Sequence, residues 1–122
     1  MDSKLFDSER KVMEVLWRYG DMHAGELADI LKSEIGWSRN TTYTVIKKCV
    51  EKGVIERREP KFFCHALITR TQVQEAATED LIDRLFDGSK VQLFSAFLSE
   101  NRLSDAEVTQ LKELVSQLKE RT

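Results

Sequence analysis

The stretch WSRNTTYTVIKKCVEKG, from Trp37 to Gly53, carries a start signal, a period and a stop signal for one helix whose two faces need different surroundings. Ser38 suits the N-cap, because its hydroxyl can accept from a free amide of the first turn. Gly53 suits the position just past the end, where a left-handed residue without a Cβ costs least. Val45, Ile46, Cys49 and Val50 fall at helical spacing and form one apolar stripe that must be covered. The other face carries Arg39, Asn40, Thr41, Tyr43, Thr44, Lys47 and Lys48. Short hydroxyls, an amide, an aromatic ring and cations are the groups that reach base edges and phosphates. A solvated helix face ordinarily mixes Glu with Lys, yet here the first acid is Glu51, in the last turn. That face suits a polyanion; the bland alternative is a solvated helix on a module for protein contacts.

The net charge of −2 argues against a nucleic-acid partner, and its distribution reverses the argument. Residues 1–36 hold 5 basic and 8 acidic side chains, residues 37–70 hold 8 and 3, and residues 71–122 hold 6 and 10. The positive charge is therefore concentrated on the segment around the helix, an electrostatic footprint that the whole-chain isoelectric point hides.

Taken in order, Ser8 or Asp7 is expected to cap a first helix, ERKVMEVLWRY, ending at Gly20. Val12, Met13, Val15, Leu16, Trp17 and Tyr19 make a stripe broad enough to be largely buried. Asp21-Met22-His23 is a link that can make one edge-strand contact. A second helix is expected over about Ala24 to Glu34, with Leu27, Ile30 and Leu31 inward, and it stops near Gly36. Two helices joined by a tight Gly-containing turn read as a helix-turn-helix. After Gly53 the period becomes 2: Val54–Arg58 and Phe62–Leu67 read as two strands joined through Glu59-Pro60-Lys61. Either Phe62 or Phe63 can face the core, since both parities carry apolar residues. Three helices and a basic hairpin predict a winged helix, with Arg57, Arg58 and Lys61 as phosphate contacts or as solvated charges. Tyr43 can meet DNA or pack within the chain.

From Thr71 the character changes, and residues 1–70 and 71–122 are expected to be separate modules. Val73, Ala76, Ala77, Leu81, Ile82, Leu85 and Phe86 mark a fourth helix closed by Asp87-Gly88. Val91–Leu98 is apolar almost all round, and Ser104-Asp105-Ala106-Glu107 is a capping box opening a last helix. Its Val108, Leu111, Val115 and Leu118 have the 3-4-3 spacing of a coiled-coil seam, which can also pack within one chain. About 50 residues cannot bury an all-round apolar helix alone. A second copy is the fitting partner, with Phe94, Phe97 and Leu98 beside the seam in a homodimer.

The overall class is mainly α with a small β hairpin. No run of about 18 apolar residues spans a membrane, and MDSKLFDSER lacks the apolar core of a signal peptide, so a cytoplasmic chain is expected. Cys49 and Cys64 lie in apolar patterns and read as reduced thiols. His23, Cys49, Cys64 and His65 lack paired ligand spacing, so no metal or other cofactor is expected. Nor does any glycine-rich phosphate loop or Ser/His/Asp arrangement point to an enzyme. The readings that remain are a sequence-specific repressor, a ligand-responsive regulator and a winged-helix protein-interaction module.

The run W-S-x-x-T-x-x-T-x-I-x-K followed by K-G, at Trp37, Ser38, Thr41, Thr44, Ile46, Lys48, Lys52 and Gly53, together with the order of elements, resembles the penicillinase-repressor (BlaI/MecI) family over nearly the whole chain. The resemblance implies a dimeric bacterial repressor on a palindromic operator, in a β-lactamase-type resistance system, with induction by proteolysis through a membrane sensor protease. In that family the cut falls at an Asn-Phe bond of the penultimate helix; the matching bond here is Ala96–Phe97, with alanine in place of asparagine. Arg39 stands where proline is common and Lys48 where arginine is usual. The tail has no cysteine, unlike the C-x-C…C-x-C tail of the related copper-responsive repressors.

Overall fold

The computed structural model describes residues 4–99 and 103–121. The chain falls into two compact units, one ending at Thr78 and one beginning at Glu79.

In the first unit, α1 (Asp7–Tyr19) buries Val12, Met13, Val15 and Leu16 along one stripe. Its N-cap is Phe6 rather than Ser8 or Asp7: the Glu9 carboxylate reaches back to accept from the Phe6 N–H at 2.9 Å. Glu9 was drawn there because it is buried and has a second partner, the Lys52 ammonium at 2.5 Å. That cation also donates to the Lys4 carbonyl at 2.9 Å. The C-terminus of one helix is thereby fastened to the N-terminus of another.

β1 (Met22–His23) follows, then α2 (Ala24–Ile35), which buries Ala24, Leu27, Ala28 and Leu31 and ends on left-handed Gly36. α3 (Arg39–Lys52) begins after two intervening residues, Trp37 and Ser38, and buries Val45, Ile46 and Cys49, with Val50 half-buried. Thr42, which the stripe omitted, is also fully buried, and its hydroxyl has no hydrogen-bond partner among the described residues.

β2 (Ile55–Arg58) and β3 (Phe63–Ala66) form the hairpin, and β1 adds to its other edge, giving an antiparallel sheet of order β1-β3-β2. The edge contact expected of Met22-His23 is thus a ladder, Met22 against Cys64 and His23 against Phe63. Val54 lies just outside the strand, its N–H donating to the Cys49 carbonyl at 3.0 Å, so the hairpin hangs from the end of α3. Of the two phenylalanines, Phe62 enters the core and Phe63 stays half-buried against the His23 ring. Beyond the sheet, Trp17 Nε1 donates to the Ile68 carbonyl at 2.9 Å and Arg70 pairs with Glu14 at 2.8 Å. The arginine holds the Glu14 carboxyl below the usual glutamate range. Three helices and this sheet make a winged helix.

α4 (Arg70–Phe86) starts in the first unit, where Val73 joins the core, and runs into the second. It closes on left-handed Asp87 and Gly88. α5 (Lys90–Ser99) and α6 (Asp105–Arg121) complete the chain. The capping box holds as expected: Ser104 N–H donates to Glu107 at 2.9 Å and Glu107 N–H to Ser104 Oγ at 3.2 Å.

Candidate nucleic-acid interface

The start of α3 is built as its sequence dictates. Ser38 Oγ accepts from the Thr41 N–H at 3.1 Å and lies 2.9 Å from the Thr41 hydroxyl. Thr44 Oγ1 donates to the Asn40 carbonyl at 2.9 Å, which fixes its methyl and its free lone pair on the outer face. Ser38, Arg39, Asn40, Thr41, Thr44, Lys47 and Lys48 are all exposed, and Tyr43 is half-buried. Lys47 and Lys48 make no ion pair among the described residues, so both ammonium groups are available to an outside anion.

Side chains of α3 reach over α2: a Cβ on Gly25 would stand 3.0 Å from Arg39 Nη2 and 3.9 Å from Tyr43 Oη, so the glycine leaves room for the ends of both side chains. Arg39 Nη1 donates to Asp29 at 3.4 Å, while its guanidinium lies 5.6 Å from the Tyr43 ring centroid. Tyr43 in turn meets the Phe62 ring edge-to-face at 6.0 Å. Of the two roles open to Tyr43 in the sequence, packing within the chain is therefore present, with part of the ring still outside.

On the hairpin Arg57, Arg58 and Lys61 are exposed, close in sequence to the tip. Arg57 Nε donates to Glu59 at 2.7 Å, Arg58 Nε donates to Glu56, and Lys61 makes no ion pair among the described residues. The Arg57 hydrogen bond, with help from the Phe62 N–H, holds the Glu59 carboxyl below the usual range. These are exposed pairs screened by water, weak enough for a phosphate to displace.

The residues with metal-ligand chemistry are engaged elsewhere. His23 Nδ1 lies 3.1 Å from Glu26, and His65 Nδ1 lies 2.5 Å from Asp21, whose other oxygen accepts from the Ala66 N–H at 3.0 Å. Burial works to raise the Asp21 pKa, but the Ala66 amide and the His65 ring outweigh it and hold it low. Cys49 and Cys64 are free buried thiols, and burial pushes Cys49 up to about 12 and Cys64 to about 11, so neither is a nucleophile at neutral pH.

The second unit exposes what the sequence would bury. α5 has no buried residue: Val91, Phe94, Phe97 and Leu98 are all open, Phe94 to 55%. Ala96 is exposed beside them. Of the α6 seam, Val108 and Leu111 are half-buried, while Val115 and Leu118 are exposed. An apolar groove of about 790 Å³ runs between the two helices, lined by Phe94, Phe97, Leu98, Leu103, Leu111 and Val115.

The family model described as "Penicillinase repressor" matches residues 5–117. The chain belongs to the penicillinase repressor family. Among similar proteins, an uncharacterized 16.5 kDa protein of Latilactobacillus sakei is 28% identical over 93% of this chain and 80% of its own length. The penicillinase repressor of Bacillus licheniformis is 23% identical over 97% and 94%. The methicillin resistance regulatory protein MecI of Staphylococcus aureus is 22% identical over 95% and 98%. The solution structure of the DNA-binding domain of the repressor BlaI matches with a TM-score of 0.53 at 22% identity, covering 57% of this chain and 88% of that one. At that identity the likeness is one of fold, the winged helix. The penicillinase repressor family is one of DNA-binding transcriptional repressors, which sets the coarse function of this member. No helix among the described residues is long and apolar enough to cross a membrane.

Three contributors to this surface escape a reading by helix periodicity. Gly25 and Asp29 sit on α2, whose exposed polar residues give no sign of which of them faces α3, and Phe62 sits at a hairpin tip where alternation gives no parity. The basic tip was the signal available, and it names no aromatic residue.

Proposed function

We propose that this penicillinase repressor family member is a dimeric, sequence-specific repressor that lays α3 in the major groove of a palindromic operator. Ser38, Arg39, Asn40, Thr41, Tyr43 and Thr44 lie nearest the bases, Lys47 and Lys48 reach backbone, and Arg57, Arg58 and Lys61 touch phosphate beside the groove. The observation that carries this is the exposed outer face of α3, with no acid before Glu51 in its last turn and with Lys47 and Lys48 in no ion pair among the described residues, on a winged helix. Residues 1–70 act as the DNA-binding part and residues 71–122 as the dimerisation part. The open apolar residues of α5 and α6 support that division, since an exposed apolar surface of this kind ordinarily meets a partner.

The regulated genes are of the β-lactamase or methicillin-resistance type, as the names of two relatives suggest. Repression ends by cleavage at Ala96–Phe97 by a membrane sensor protease. The cut severs α6 from the DNA-binding part, so the seam no longer holds two wings at dyad spacing and affinity falls toward that of one half-site. Intact mass of the repressor recovered from induced cells tests this: a fragment ending at Ala96 supports it, and full-length chain under derepression contradicts it.

Binding-site selection tests the groove placement. Thr44→Ala should change the preferred base at one position, at a cost of about 1–3 kcal/mol on the original site. Lys47→Ala should weaken all sequences alike. A Thr44→Ala variant that returns the original motif at the original affinity overturns the placement.

A further inference from the structure

We infer that Phe62 is a positioning residue for DNA binding: with Tyr43 it forms an aromatic bridge from α3 to the hairpin tip that holds Arg57 and Arg39 ready at its two ends. The inference rests on the interface proposed above and deepens it.

Phe62 is fastened on every side. Its carbonyl accepts from the Ala24 N–H at 2.9 Å, the first amide of α2. Its own N–H donates to Glu59 Oε2 at 3.3 Å. Its ring meets Tyr43 of α3 edge-to-face, and the Arg57 guanidinium lies 3.8 Å from its centroid. The residue holds φ at 55°, which a bulky side chain adopts only where its surroundings over-determine it. The tip is thus nailed to both helices of the helix-turn-helix. At the far end Tyr43 carries Arg39 in the same manner.

A guanidinium held against an aromatic face loses rotamer freedom before any ligand arrives, yet keeps its in-plane donors. Arg57 uses only Nε on Glu59, so its two terminal nitrogens remain for the two oxygens of a phosphate. Arg39 uses Nη1 on Asp29. The bridge therefore ties the position of a cation at the entry of α3 to that of a cation on the wing.

The test is a double-mutant cycle on the full-length chain, with the duplex that the unaltered protein selects and a random-sequence duplex as probes, titrated against salt. Phe62→Leu should weaken selected-duplex binding about two- to fivefold, the range of an exposed cation–π contact. It should lower the log–log salt slope as Arg57→Ala does, by about 0.9. Phe62→Leu with Arg57→Ala should be weaker than Arg57→Ala alone by less than the product of the two single losses, and Phe62→Tyr, which keeps the ring, should bind as the unaltered chain does. Losses that multiply, or an unchanged slope in Phe62→Leu, overturn the inference. Should Phe62→Leu fail to fold by circular dichroism, the same cycle runs with Tyr43→Leu and Arg39→Ala. If Arg57→Ala and Arg39→Ala leave both duplexes bound as before, the interface itself is misplaced; if they weaken binding while Phe62→Leu does not, only the bridge is.

Discussion

Two buried polar groups in the first unit carry opposite signs for stability. The Thr42 hydroxyl is fully buried without a partner, so its desolvation is uncompensated. Thr42→Val, which replaces it with a methyl group of similar size, should stabilise the chain by about 1 kcal/mol. Chemical denaturation of the full chain checks this, and an unchanged or lower midpoint contradicts it. Glu9 is the converse case, a buried carboxylate with an amide and an ammonium upon it. Glu9→Ala takes the carboxylate from Lys52, leaving it the Lys4 carbonyl, and frees the Phe6 amide; it should cost about 3 kcal/mol, the low end for breaking a buried pair. Neither residue was legible in the sequence. Period 3.6 sorts residues by face but does not tell a threonine at the edge of a stripe from one inside it, and Glu9 reads as an ordinary first-turn acid until Lys52 is brought 43 positions back to it. Ser38, by contrast, was legible because a cap is a local bond across three residues.

At the scale of elements, the helices and the hairpin announced themselves, while the third strand was only allowed for. Start and stop residues lie within each helix's own sequence, so the ends near Gly20, Gly36 and Gly53 agree with expectation. β1 is only two residues long and exists through its partner β3, so no local pattern could do more than allow it. The wing's junction with α1 is held by Asp21, which accepts from Ala66 and faces His65. Because the Asp21 carboxyl is held low when folded, its contribution to stability is present above the ordinary aspartate value and is lost as pH falls through the lower folded one. Asp21→Asn should therefore lower the melting temperature most at the neutral end of a profile taken from about pH 6 to about pH 2 and least at its acid end, which flattens the acid limb. An acid limb as steep as that of the unaltered chain contradicts the assignment. The parity of Phe62 and Phe63 stayed open in the sequence because the left-handed residues at Lys61 and Phe62 break the alternation at the tip.

At the scale of the whole molecule, one chain carries both a helix face with no acid before Glu51 and an uncovered apolar tail. Both were visible as composition: the positive charge gathered between residues 37 and 70, and the apolar run at 91–98 had too little chain around it. What composition does not supply is the partner, since one chain's sequence contains only half of an isologous contact. Val115→Asp puts a charge on an open seam position and should give monomers by light scattering, with operator affinity reduced at least tenfold through lost effective concentration. The most direct measurement is binding-site selection on the full-length chain, followed by titration of the selected duplex and of one half of it. A dimeric repressor should enrich a sequence with dyad symmetry, half-sites about one helical turn or a multiple apart, and bind a half-site duplex far more weakly. Enrichment of a single asymmetric site bound with equal affinity by its half, or no enrichment at all, would contradict it.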